Sequence, residues 1–147
     1  MEASFLFLIR ETTPETYDAM SADERRRSLD RWNEWVDGMI ARGQVTYGQP
    51  LENAGRLVAR RPAVRPLDGP YAEAKELVGG IFLVAAASLD EATALAETCP
   101  SLPYGLTIEV RPIAGACHLA HSLGWETMKE PASALGGRRR RSAGPRS

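Results

Sequence analysis

The residues best suited to chemistry lie in one segment, which reads Asp-Gly-Pro-Tyr-Ala-Glu-Ala-Lys-Glu over residues 68–76. Lys75 is the only lysine in the first 128 residues. It suits either a Schiff base or, as the favoured interpretation, an ion pair with a flanking glutamate. Asp68 precedes a Gly-Pro turn, where a carboxylate commonly accepts hydrogen bonds from backbone amides. Tyr71 suits a core position with a bonded hydroxyl, or the wall of a pocket.

The other candidates for chemistry are two histidines and two cysteines. His118 and His121 are three residues apart and could share one face of a helical turn, but two ligands alone are a weak indication of a metal site. Cys99 and Cys117 match no thiol–metal spacing and are too few for a disulfide framework, so we interpret them as inert thiols. We predict no metal and no other cofactor.

The composition is that of a single globular domain. The chain has 147 residues, of which 44% are hydrophobic and 25% charged, and this excludes wholesale disorder, a collagen-like rod and a disulfide scaffold. No apolar stretch approaches the roughly 18 residues that a membrane span needs. The start, MEASFLFLIR, has an acid where a signal peptide carries basic residues. We therefore expect a cytoplasmic protein with no membrane contact.

The net charge of −1 conceals an asymmetry between the body and the tail. Residues 1–114 carry twelve basic and seventeen acidic side chains, whereas residues 115–147 carry six basic and two acidic ones. A domain with this net negative charge does not suit specific binding to nucleic acid. Arg138–Arg141 offers only weak, salt-sensitive contact of that kind, and a solvated tail without a partner is the simpler interpretation.

Four segments have the pattern of strands in one sheet. Residues 3–10 and 81–86 are apolar at nearly every position, which is typical of strands covered on both faces. Residues 106–113 alternate as a half-buried strand does, and residues 44–49 form a short strand. Between them, the segment 56–67 is interrupted by prolines, which predicts an edge ribbon or a loop. Gly79 and Gly80 are interpreted as a bend before the third strand.

Two capping boxes predict the helices. The first begins at Ser21 and opens a helix of about twenty residues that Gly43 ends. Its predicted buried face consists of Leu29, Trp32, Val36, Met39 and Ile40. The second begins at Ser88 and opens a helix that ends at Pro100.

The resulting order, β-α-β-β-α-β, predicts an α+β fold with the ferredoxin-like split unit. In that topology the first and third strands are central, which agrees with the two runs that are apolar throughout. Two helices cover only one face of a four-stranded sheet, so we predict that a second copy covers the other in a homodimer. The domain is predicted over residues 1–114. Residues 115–147 form an extension with a short helix and then a mobile tail.

The segment DGPYAEAKELVGGIFLV resembles the YCII-related family, in which the motif Asp-Gly-Pro-Phe precedes a glutamate, a Lys-Glu pair and two glycines before a strand. The resemblance continues through SLDEATALAETCP to residues 109–113, and so covers about residues 3–113. It implies a dimeric α+β barrel built on the ferredoxin-like unit.

The resemblance also implies a small-molecule pocket beside the sheet, in which related proteins place a buried His–Asp pair. Asp68 stands at the motif aspartate and is the catalytic candidate; Trp32, Tyr71 and Lys75 are candidates for the pocket. The matching histidine is missing, because both histidines follow the resembling segment. Without an imidazole, Asp68 would need a strongly raised pKa to act as a base.

Two functions therefore remain open. One is a small-molecule isomerase or lyase-like enzyme that transfers a proton. The other is a ligand-binding or regulatory module without turnover, for which the resemblance suggests a link to alternative sigma factors. In either case the expected partners are an unknown small molecule and a second copy of the chain.

Overall fold

Residues 1–113 form a unit built on six strands. The computed structural model describes residues 2–11, 15–60, 64–66 and 78–131. The strands are β1 (Ala3–Glu11), β2 (Val45–Pro50), β3 (Arg56–Val58), β4 (Val64–Pro66), β5 (Val78–Ala86) and β6 (Leu106–Pro112). The main sheet is antiparallel, in the order β2-β5-β1-β6, and β3 pairs with β4 in a separate ribbon. The central positions predicted for β1 and β5 are confirmed.

The described residues of this unit also form three helices and a 3₁₀ turn. They are α1 (Glu15–Asp18), α2 (Ala22–Ala41), α3 (Leu89–Glu97) and the 3₁₀ turn Leu102–Tyr104. Both predicted helix starts are confirmed. The hydroxyl of Ser21 accepts a hydrogen bond from the Glu24 N–H at 3.1 Å, and that of Ser88 accepts one from the Glu91 N–H at 3.1 Å. Gly43 has φ +71° just after α2, as its predicted role as a helix stop requires.

The core lies between α2, α3 and one face of the sheet. Phe5, Phe7 and Ile9 of β1 point to this face, and their register pairs them with Val84, Phe82 and Gly80 of β5. Phe7, Met39 and Val84 are its largest fully buried side chains, and burial of such a side chain stabilises the fold by about 1.5–3 kcal/mol. The β-α-β-β-α-β arrangement inferred from the sequence is therefore the arrangement that forms.

The predicted buried face of α2 is wrong at two positions. Leu29 is 58% exposed and Ile40 is 53% exposed, whereas Ser28 is buried and Trp35 packs against the core. The N-terminal half of α2 borders an open cleft instead of a packed sheet, so Leu29 lies at the wall of that cleft. The apolar pattern alone does not distinguish a cleft wall from a core contact.

The two glycines interpreted as a bend lie inside β5. Gly80 pairs with Ile9, and the next pair joins Arg10 to Val78, so Gly79 is the extra residue of a β-bulge. The strand therefore begins three residues earlier than its apolar run. Bulges of this kind occur beside functional sites because they change the direction of a strand locally.

The sheet face opposite the helices carries an apolar stripe. Leu6 pairs with Leu83 and Leu8 with Ile81, and all four side chains are partly buried. A charged group borders the stripe on β6, where Glu109 accepts a hydrogen bond from Arg10 Nη1 at 2.6 Å. Since side chains alternate along a strand, this stripe consists of the residues that do not contribute to the helix-covered core.

The second unit, Ala114–Ser147, is described as far as residue 131. It contains the short helix α4 (His118–Ser122), within the segment for which a short helix is predicted. The Cys117 N–H donates to Met128 Sδ at 3.2 Å. The predicted Arg138–Arg141 tail lies outside the described residues. Across the described parts of both units, no helix combines the length and the apolarity that a bilayer span requires.

Candidate functional site: a cleft between helix α2 and the sheet

A cleft of about 780 Å³ separates the N-terminal half of α2 from the sheet. Its volume lies within the usual range for sites that bind small molecules. Its lining comes from α2, from the ends of all four strands of the main sheet, from the chain after β2, and from the chain around α1 and the 3₁₀ turn. The lining residues are Ile9, Glu11, Tyr17, Arg25, Ser28, Leu29, Trp32, Asn33, Val36, Gly48, Gln49, Pro50, Leu51, Asn53, Gly79, Gly80, Ile81, Phe82, Ser101 and Leu106.

Glycines keep the sheet side of the cleft open. Gly79 and Gly80 line it near the start of β5, where a Cβ would meet no atom closer than 3.4 Å and neither residue has a side chain to fill the space. At Gly48 the ring of Phe82 occupies the place of a side chain, because a Cβ there would lie 2.1 Å from Phe82 Cδ1. The absence of a side chain at Gly48 thus allows Phe82 to lie against the strand.

Two aromatic rings, those of Trp32 and Phe82, line one wall of the cleft, and the ring of Trp35 contacts both of them. The ring of Trp32 stacks on that of Phe82, with centroids 5.9 Å apart and an interplanar angle of 29°. Trp35 meets Phe82 edge-on at 6.1 Å, and its Nε1 donates to Thr98 Oγ1 at 2.8 Å, which ties α2 to the residue after α3. The indole N–H of Trp32 has no partner within the described residues. Trp32 therefore offers both a flat ring and a donor to an occupant.

Tyr17 and Ser101 provide the polar end of the cleft. Both line it, and Ser101 is only 4% exposed. Burial, and after it the negative charge of Glu11, raises the pKa of Tyr17 above its ordinary value of 10.0, against the lowering effect of the nearby Ser101 hydroxyl. The phenol is therefore protonated at neutral pH and acts as a hydrogen-bond donor or acceptor, not as a base.

Tyr17 and Ser101 are not among the residues that the sequence predicts for the site. Tyr17 lies on a helix of four residues, which is too short to show a helical period, and Ser101 follows Pro100 in a loop. The ring of Tyr17 also contacts that of Tyr104, with centroids 5.9 Å apart. Only these tertiary contacts bring Tyr17 to the cleft, so no local signal in the sequence marks it.

Of the residues predicted for the site, Trp32 lies in the cleft. Asp68, Tyr71 and Lys75 lie outside the described residues, and their roles stay predictions. Their segment joins β5 directly at Val78, which precedes two glycines of the cleft wall. His118 and His121 are exposed residues of α4. Within the part of the chain that the structure describes, no three His, Cys, Asp or Glu side chains are grouped so as to hold a metal ion.

Comparison with known proteins gives a family and a likeness to solved structures. The family model of the YCII-related domain matches residues 16–114. No curated protein matches the chain. A similar solved structure is that of 5-chloro-2-hydroxyhydroquinone dehydrochlorinase from Burkholderia phenoliruptrix AC1100, in complex with 2,5-dihydroxybenzoquinone. It is 18% identical, has a TM-score of 0.46, and covers 77% of this chain and 95% of its own.

Proposed function

The chain belongs to the YCII-related family, and from that premise we propose that it binds a small cyclic organic molecule in the cleft between α2 and the sheet. The stacked pair of Trp32 and Phe82 in the wall of a cleft of about 780 Å³ carries this proposal. A flat ring that packs against an indole gains about 0.5–1.5 kcal/mol beyond the area it buries. Pockets for small molecules typically combine such apolar walls with a few polar groups.

We propose binding without turnover in preference to catalysis. Proton transfer near neutral pH uses a group whose pKa lies near that pH, most often a histidine. Residues 1–117 contain no histidine, and the raised pKa of Tyr17 moves its phenol further from that range. The groups described in the cleft orient a ligand and do not shuttle a proton. Catalysis by Asp68 stays a prediction from the family resemblance.

The proposed assembly is a homodimer in which two sheets meet face to face. The apolar stripe of Leu6, Leu8, Ile81 and Leu83 supports this proposal, since a second copy of the same stripe would be self-complementary about a two-fold axis. In such a dimer the two sheets would form the barrel that the family resemblance implies. Each cleft would then lie on an outer, helix-covered face.

Nuclear magnetic resonance with a panel of small cyclic fragments tests the binding function. Three indole N–H signals, from Trp32, Trp35 and Trp125, are available as reporters. We expect a fragment that binds to shift the Trp32 signal most. Trp32→Leu keeps an apolar side chain near Phe82 but removes the flat ring, and we expect it to weaken binding about tenfold, roughly the worth of one aromatic contact.

Trp125→Phe is the matched control, because Trp125 belongs to the second unit and does not line the cleft. It should leave fragment affinity unchanged. The proposal is wrong if no fragment binds, or if a bound fragment leaves the Trp32 signal in place and keeps its affinity in Trp32→Leu.

A further inference from the structure

We propose that the cleft selects ring-shaped ligands that carry a carboxylate, which forms an ion pair with Arg25. This inference rests on the proposed function and names the class of ligand. It is carried by the position of Arg25 in the cleft lining, on the same face of α2 as Trp32, and by a guanidinium that is not engaged with the described residues.

Arg25 and Trp32 lie on one face of α2. They are seven residues apart, which is about two helical turns and about 10 Å along the helix axis, and Leu29 lies between them. All three residues line the cleft. A ring that stacks on Trp32 can therefore direct a substituent along α2 toward its first turn, and the long side chain of Arg25 shortens the distance that this substituent must span.

The charges next to Arg25 on α2 are engaged elsewhere. Asp23 accepts a hydrogen bond from Arg26 Nη1 at 3.2 Å, and Glu24 lines a separate small pocket together with Arg27. Across the part of the chain that the structure describes, the guanidinium of Arg25 forms no ion pair. A ligand carboxylate would therefore displace no protein partner, and a guanidinium can bind it through two parallel hydrogen bonds.

Glu11 is the other charged residue of the lining, so an anionic ligand meets charges of both signs. No ion pair joins Glu11 to Arg25 within the described residues, and both side chains are exposed. Water and salt screen charges that are not in contact much more than they weaken a direct ion pair. The attraction by Arg25 at contact should therefore exceed the repulsion by Glu11 at a distance, with the carboxylate directed away from the end of β1.

The probes 2-naphthoate and 2-naphthamide test this selectivity, because they share one ring system and nearly one shape but only the first is charged at neutral pH. We would titrate the full-length protein at low salt and follow the indole signal of Trp32 by nuclear magnetic resonance. The carboxylate should bind about three- to tenfold more tightly, between the worth of an exposed ion pair and that of a charged hydrogen bond. In about 0.5 M sodium chloride this preference should shrink.

Arg25→Gln removes the charge and should bring the two affinities together, chiefly by weakening the binding of 2-naphthoate. Arg27→Gln is the matched control, because it changes the net charge by the same amount on the same helix and Arg27 does not line the cleft. This variant should keep the preference for 2-naphthoate. Glu11→Gln removes the opposing charge and should widen the preference.

The outcomes separate this inference from the proposed function. If the wild type binds both probes equally or prefers 2-naphthamide, or if Arg25→Gln keeps the preference, Arg25 does not select the ligand, although the cleft still binds rings. If Arg27→Gln loses the preference as well, the net charge of the protein explains it and the inference is wrong. If neither probe binds, both the selectivity and the proposed binding function are contradicted.

Discussion

The two thiols of the chain have different surroundings, although no pattern in the sequence distinguishes them. Cys99 is buried and belongs to the core cluster, whereas Cys117 is exposed just before α4. Burial raises the pKa of Cys99 above its ordinary value of 9.0, against the lowering effect of backbone hydrogen bonds from Ser101 and Leu102. The thiolate is the reactive form of a cysteine. Cys99 is therefore protected twice, because its burial limits the access of a reagent and its raised pKa leaves less of the thiol ionised.

We therefore expect Ellman's reagent at pH 8 to react with one thiol per chain quickly and with the second only as the protein unfolds. Cys117→Ser should remove the fast phase, and Cys99→Ser should remove the slow one. Adding denaturant should merge the two phases in the wild type. Two fast phases in the native protein would show that Cys99 is accessible.

Individual site residues differ in whether they can be predicted from the sequence. Trp32 was predicted for the pocket through the family resemblance, and it lies in the cleft. Its place on the apolar face of a long helix fits a core contact equally well. Tyr17 could not be predicted, since its contacts with Ser101 and Tyr104 are separated from it by more than eighty residues. A sequence pattern reflects residues that are close together along the chain, and these contacts join residues that are far apart along it.

At the scale of elements, local signals located most boundaries correctly. The serine caps at Ser21 and Ser88 and the left-handed Gly43 are backbone features that nearby residues determine, and each occurs where the sequence predicts it. The orientation of α2 was less predictable. Leu29 and Ile40 belong to the apolar pattern but are exposed. Leu29 borders the cleft and Ile40 lies at the end of the helix, so neither makes the packing contact that the pattern predicts.

Two glycine variants test how the elements around the cleft fit together. Gly48→Ala places a methyl group within 2.1 Å of the Phe82 ring, so the ring must move and with it the stack on Trp32. We expect a loss of about 1–3 kcal/mol in the free energy of unfolding, as overpacking typically costs. Urea unfolding followed by circular dichroism measures it.

Gly38→Ala is the comparison, because Gly38 lies inside α2 and a Cβ there meets only the flexible end of Arg42 at 3.1 Å. The gain in helix propensity should raise the free energy of unfolding by about 1 kcal/mol. If both variants change stability in the same direction, the close fit of Phe82 against Gly48 does not constrain the sheet.

At the scale of the whole molecule, the main sheet has two unlike apolar faces. One is covered by α2 and α3 and contains Phe7 and Val84, which are fully buried. The other carries Leu6, Leu8, Ile81 and Leu83, with Glu109 between Arg10 and Arg111 at its border. The central place of β1 and β5 was predictable, because strands that are apolar on both faces need cover on both. The sequence does not identify what covers the sheet face opposite the helices.

We expect that cover to be a second copy of the chain. Light scattering at micromolar concentration should then give twice the chain mass of 16.0 kDa. Leu8→Arg introduces a long charged side chain into the centre of the stripe, between Ile81 and Glu109, and should produce a folded monomer, because each copy would have to bury a charge in an apolar interface. Circular dichroism checks that the variant is folded.

Leu57→Arg is the control for a surface leucine elsewhere, since Leu57 is 53% exposed and lies on the separate β3–β4 ribbon. It should remain dimeric. A wild-type mass of 16.0 kDa would contradict the dimer itself. Dissociation by Leu57→Arg with retention of the dimer in Leu8→Arg would instead show that the copies associate through the ribbon. The apolar stripe would then need a different explanation, because its four aliphatic side chains are only partly buried and each Å² of apolar surface left in water forgoes about 25 cal/mol.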